Sequence, residues 1–152
     1  MRPARFQEFA GDSYAAAGAV QEVESWSEGT ARPFGLVVTF ASGARLWQAV
    51  TAQAAPGEES VERAAPEPVP LPELGAGRLR LPEVERYLVA VLANAGCAEI
   101  ARVWGYTDRE PPASTPGLGV EFHSGARVFA PFVHAAGRGQ QRGDAYELAA
   151  EV

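Results

Sequence analysis

The sequence predicts an α+β fold, built as two tandem αβββ repeats that form a mainly antiparallel sheet about a pseudo-twofold axis, with the helices packed on one face. Three observations carry this. Residues Gly35–Arg45 (GLVVTFASGAR) and Gly117–Arg127 (GLGVEFHSGAR) share Gly, Leu, Val, Phe and a Ser-Gly-Ala-Arg block at matching positions. Each copy runs as alternating apolar residues, then Ser-Gly, then a second apolar run. That pattern marks a β-hairpin, because glycine supplies the positive φ of a tight turn. A helix-period stretch and a strand-like stretch precede each copy in the same order.

The first repeat is expected over residues 5–53. In Arg5–Gly18, Phe6, Phe9, Ala10 and Tyr14 recur at helical spacing, and Gly18 is a natural stop. Val20–Ser27 alternates as a strand ending near Trp26, the breaker-rich Ser27–Pro33 is a loop, and the first hairpin follows from Phe34 to about Gln53.

Residues 54–77 change character. Pro56, Pro66, Pro68, Pro70 and Pro72 alternate with Glu58, Glu59, Glu62, Glu67 and Glu73, which favours an extended, acidic, exposed linker. The second repeat is expected over residues 78–134, with Gly77–Leu81 adding a short strand. In Leu81–Gly96, Pro82 suits a first helical turn and Glu83 and Glu85 complement the positive helix end. Val84, Tyr87, Leu88, Val91 and Leu92 form an apolar face, and Gly96 closes the helix.

A strand over Ala98–Tyr106 then ends near Trp104. Gly18 to Trp26 and Gly96 to Trp104 both span eight residues, which places the two tryptophans at equivalent sites. The second hairpin runs from Gly117 to about His134, with Pro131 marking an edge or a bulge. Residues 135–152 form a glycine-rich tail whose last stretch, Asp144–Val152, periodicity assigns to neither helix nor strand.

Ser42-Gly43 as a two-residue turn sets Phe40, Val38 and Leu36 opposite Arg45, Trp47 and Ala49 on the helix-covered face. In the second copy Phe122, Val120 and Leu118 stand opposite Arg127, Phe129 and Pro131. Arg45 and Arg127 then lie at the rim beside a Phe ring. Each either holds an anion or lays its stem over the ring with its head in water, and the second reading is favoured. The other sheet face carries Leu46, Gln48, Val128 and His123, a mixed surface suited to self-association or partner binding.

At the level of architecture, αβββ halves resemble the paired βαβββ modules of the glyoxalase/bleomycin-resistance superfamily when Gly77–Leu81 serves as a leading strand. The first copy has no room for such a strand before Phe6, and that family's metal ligands have no counterpart. The αβββα double-stranded-RNA-binding domain is similar in part, without its basic loop.

The composition limits function. A net charge of −6 disfavours a nucleic-acid partner. Cys97 is the only cysteine, which excludes an intrachain disulfide and fits a cytoplasmic location. The opening MRPARFQEFAG has no apolar core of a signal peptide, and no apolar run approaches a membrane span. Nucleotide-binding loops and nucleophile elbows are absent, and no cofactor or metal is implied. The expectation is therefore a non-catalytic protein-binding or assembly protein, acting as a homo-oligomer or with a protein partner. Alternatives are a small-ligand protein with a cleft lined by Trp26, Trp104, Arg45 and Arg127, or, lowest in rank, an enzyme using His123 and Glu121.

Overall fold

The protein is described here from a computed structural model covering residues 1–57 and 60–152. Glu58 and Glu59, part of the expected linker, lie outside the described residues. The fold is α+β, with two helices and a curled antiparallel sheet. The helices are α1, Pro3–Ala15, and α2, Leu81–Ala93, each with proline in its first turn. Proline is harmless there because the N–H it lacks has no partner inside the helix. Phe6, Ala10 and Tyr14 recur four apart and are buried, as are Val84, Leu88 and Leu92. Among the described residues, no helix is long and apolar enough to cross a membrane.

The strands are β1 (Val20–Ser25), β2 (Gly35–Phe40), β3 (Arg45–Ala49), β4 (Thr51–Gln53), β5 (Ile100–Gly105), β6 (Gly117–Phe122) and β7 (Arg127–Ala136). Their order is β1–β2–β3–β7–β6–β5, and β4 continues β3 along the same neighbour, β7. Helix α1 packs on β1 and β2, α2 packs on β5 and β6, and the two helices also touch each other. Helices over the outer strands meet only if the sheet curls around them, so the face away from the helices is the outer one.

The hairpin register differs from expectation by one residue. Val38 pairs with Leu46 and Val120 with Val128. The Phe40 N–H bonds to the Ala44 carbonyl and the Phe122 N–H to the Ala126 carbonyl, so each loop has three residues. Gly43 and Gly125 close these loops at φ of 91° and 90°, the left-handed conformation of a G1 bulge.

A one-residue shift exchanges the faces of the return strand. Leu46 and Val128, expected on the exposed face, are therefore in the core at 1% and 0% exposure. Arg45, Trp47, Arg127, Phe129 and Pro131 turn outward instead. The expected register would bring Leu46 and Val128 into water at about 1.5–3 kcal/mol each, which is why the longer loop wins.

Pro131 is not on an edge strand. It lies in the central strand β7, between Phe132, which faces β3, and Phe129, which faces β4. Its missing N–H thus falls where one neighbour gives way to the next. The Val133 bulge in the same stretch frees a carbonyl that accepts from the Tyr146 N–H.

Described linker residues 54–57 and 60–77 hold no helix or strand and wrap around the helix layer. Asn94 fixes Val69 twice: its amide oxygen accepts from the Val69 N–H at 2.7 Å and its amide nitrogen donates to the Val69 carbonyl at 2.8 Å. The expected strand over Gly77–Leu81 reduces to one bridge, Arg80 with Glu151, flanked by mutual hydrogen bonds of Leu79 and Val152. Helix α2 begins at once after it, leaving no length for a strand.

Candidate functional site

Helices cover one face of the sheet, so chemistry is available on the other. Alternation places Arg45 and Trp47 of β3, Arg102 and Trp104 of β5, Glu121 of β6, and Arg127 and Phe129 of β7 on that open face. These side chains form two groups. The four residues expected to line one cleft are divided between them, so they do not converge.

The first group stands at the Arg45 end. His134 pairs with Trp47 across the β3–β7 ladder, and its ring stands T-shaped to Trp26 and Trp47 at centroid distances of 5.9 and 6.1 Å. The Arg45 guanidinium lies 4.9 Å from the Trp47 ring centre and donates to the Gln140 carbonyl at 2.8 Å. Arg142 crosses from the tail to lie 6.0 and 5.9 Å from the Trp26 and Trp47 ring centres. Tail residue Gly143 offers its carbonyl to His134 Nδ1 at 2.8 Å.

The second group stands at the Arg127 end. The Arg102 guanidinium lies 4.7 Å from the Trp104 ring centre and donates to Glu121 at 3.1 Å, and Arg127 approaches the same carboxylate at 3.8 Å. Arg102 and Arg127 remain exposed, with side chains 62% and 47% accessible. Trp104 lies flat over Gly119, where any β-carbon would overlap the indole. The ladder from Arg45 to Gln53, which faces Arg127, spans eight steps of about 3.3 Å, so the two arginines stand roughly 26 Å apart along the strands.

Neither arginine lies beside the Phe ring expected of it, because the register shift turned Arg45 and Arg127 outward while Phe40 and Phe122 stay on the helix-covered face. Trp26 and Trp104 are not equivalent either: Trp26 follows β1, whereas Trp104 is inside β5. His123 lies in the hairpin loop, where its Nε2 donates to the linker carbonyl of Ala64 at 2.9 Å. Glu121 is engaged by Arg102 and Arg127 instead. Cys97 is a half-buried free thiol. Among the described residues, no group of three or more His, Cys, Asp or Glu side chains could hold a metal.

Two features escape sequence reasoning. Glu85, expected as a charge at a helix end, is fully buried, and its carboxylate accepts from the Thr107 hydroxyl and N–H and from the Gly117 N–H at 3.2 Å. It ties α2 to the loop before β6. The cluster of Trp26, Trp47, His134 and Arg142 joins three distant segments, and no local spacing announces it. Beside Glu85, burial pushes the Tyr106 hydroxyl up to about 12, against the pull of Arg109, which lies 5.3 Å from its ring centre.

Compared with known protein families, curated proteins and solved structures, the chain matches none.

Proposed function

We propose that the protein is a non-catalytic binding component that takes a protein partner, or a second copy of itself, on the open face of its sheet. One observation supports this most: the patch of Arg102, Trp104, Glu121, Arg127 and Phe129 stands on strands whose opposite side is already filled by the helices. Arginine and large aromatics are the side chains that dominate protein interfaces, and a rigid strand surface presents them without ordering cost. The lone thiol suits a reducing cytoplasm.

We further infer that the fold is two αβββ halves related by a pseudo-twofold axis. Several pairings support it. The ladders β1–β2 and β5–β6 each have a bulge after their first pair. The fifth residue of each helix, Gln7 or Glu85, accepts from the N–H of the first residue of a strand, Gly35 or Gly117. The residue after each edge strand, Trp26 or Tyr106, lies over that same glycine. The equivalent of Trp26 is thus Tyr106. A binding face built this way has two related sites with different side chains.

Cross-linking mass spectrometry in the source cells tests the binding role. Cross-links that concentrate on β5–β7 and vanish with Trp104→Ala or Arg127→Glu, while both variants stay folded by circular dichroism, support it. Equal cross-linking of wild type and variants, with a monomeric mass by light scattering, overturns it.

A further inference from the structure

The first group on the open face has the features of a cation cage already filled by the chain itself. Trp26 and Trp47 offer ring faces to the Arg142 guanidinium, and His134 stands T-shaped to both indoles at 74° and 84°. An aromatic face attracts a cation through its quadrupole. His134 adds a second signal. It is 5% exposed, and among the described residues its Nε2 has no hydrogen-bond partner. A carbonyl only accepts, so the contact with Gly143 puts the hydrogen of the neutral ring on Nδ1 and leaves Nε2 as a buried acceptor. A buried acceptor without a donor is costly, and an N–H brought into the cage would relieve it.

The covering segment lies on the surface. Residues 138–144 are exposed throughout, and glycines stand at 137, 139 and 143. The segment is anchored on either side, by β7 before it and by the Tyr146–Val133 and Val152–Leu79 hydrogen bonds after it. Between those anchors its ties to the sheet include the Gln140 and Gly143 carbonyl contacts, the Arg138 side chain against Gly43, and Arg142 itself.

We propose that Trp26, Trp47 and His134 form a binding site for an arginine side chain of a partner protein, and that Arg142 occupies it in cis until the partner's arginine displaces it. Guanidinium is favoured over a quaternary ammonium because it brings both the charge for the indoles and N–H donors for Nε2. Glu22 and Glu24 lie on the same sheet face, on the outer strand β1, and the net charge of −6 favours a basic partner. The site is separate from the patch around Trp104, so it stands or falls independently of the binding role assigned to that patch.

Two-dimensional NMR of the three indole N–H groups tests it, with Trp104 as the internal control. The proteins are wild type, Arg142→Ala, Arg142→Gln and Arg142→Ala/Trp26→Leu. The probes are N-acetyl-arginine amide, its uncharged analogue N-acetyl-citrulline amide, and tetramethylammonium. In either single variant, the arginine probe should shift the Trp26 and Trp47 signals saturably and leave Trp104 in place. It should bind wild type at least about ten-fold more weakly, because Arg142 competes in cis at high effective concentration. The double variant should lose the response. Absence of saturable shifts in both folded single variants overturns the proposal, as does an equal response to citrulline or to tetramethylammonium, or equal affinity for wild type.

Discussion

The Tyr14 hydroxyl, buried on α1, donates to Gln48 Oε1 on β3 at 3.0 Å, and the Gln48 amide in turn donates to the Ala130 carbonyl of β7 at 3.1 Å. One side chain in the core thus joins a helix to both central strands. Inside a protein such a chain is favourable while complete, and each member left alone is costly. Gln48→Leu should remove the amide, strand the Tyr14 hydroxyl and take one of the donors from the Ala130 carbonyl, lowering stability by about 1–3 kcal/mol. The urea midpoint measures it. Combining the change with Tyr14→Phe should cost less than the sum of the two, since the orphaned hydroxyl goes too.

Alkaline pH should act on the same residue. Burial raises the Tyr14 hydroxyl well above its ordinary range, with the Gln48 hydrogen bond opposing this less strongly, and Tyr106 is raised to about 12 by burial. An unfolded tyrosine ionises near pH 10. Above that pH the unfolded chain releases protons that the folded chain retains, so stability is full below about 10 and falls as pH rises. Phenolate absorbance should show Tyr14 and Tyr106 silent until circular dichroism reports unfolding. Ionisation of all four tyrosines in a folded state would contradict this. Tyr106→Phe should make the alkaline loss shallower.

The Trp104 platform should depend on Gly119. A methyl group at that position overlaps the indole, and both the strand and the stacked Arg102 limit how far the ring can move. Gly119→Ala should destabilise the fold by about 1–3 kcal/mol and raise the accessibility of Trp104. Iodide quenching of tryptophan fluorescence should rise relative to wild type, and unchanged quenching would place the ring elsewhere.

Much of the fold was legible because periodicity reports burial directly. Phe6, Ala10 and Tyr14, or Val84, Leu88 and Leu92, can share a helix face in only one way. The open face was not legible, and the reason is local. Ser-Gly fits a two-residue turn as well as the end of a three-residue loop, and the one-residue difference decides whether Leu46 or Trp47 faces the helices. The cage around His134 was further out of reach, since Trp26, Trp47 and Arg142 are brought together by strand pairing and a returning tail. Glu85 shows the same limit: near a helix start an acidic residue reads as solvated charge, and only the packed loop reveals its donors.

Glu85 supports a last prediction through its comparison with Gln7. Gln7 serves one donor, the Gly35 N–H at 2.8 Å, and an amide oxygen suffices for it. Glu85 serves the Thr107 hydroxyl and N–H and the Gly117 N–H, which engage both carboxylate oxygens. Glu85→Gln replaces one of those oxygens with an NH2 group, so a donor would face donors in a site closed to water. The expected cost is about 1–3 kcal/mol. The loss should be local as well as global. Hydrogen exchange should quicken at the Thr107 and Gly117 amides more than at β2 or β3, because the loop before β6 loses its tie to α2 while Gln7 still holds Gly35. Thr107→Val should reproduce part of the effect by removing one donor and leaving the carboxylate under-bonded. Uniform quickening of exchange across the whole sheet would mean that Glu85 supports the core as a whole and does not act on this loop.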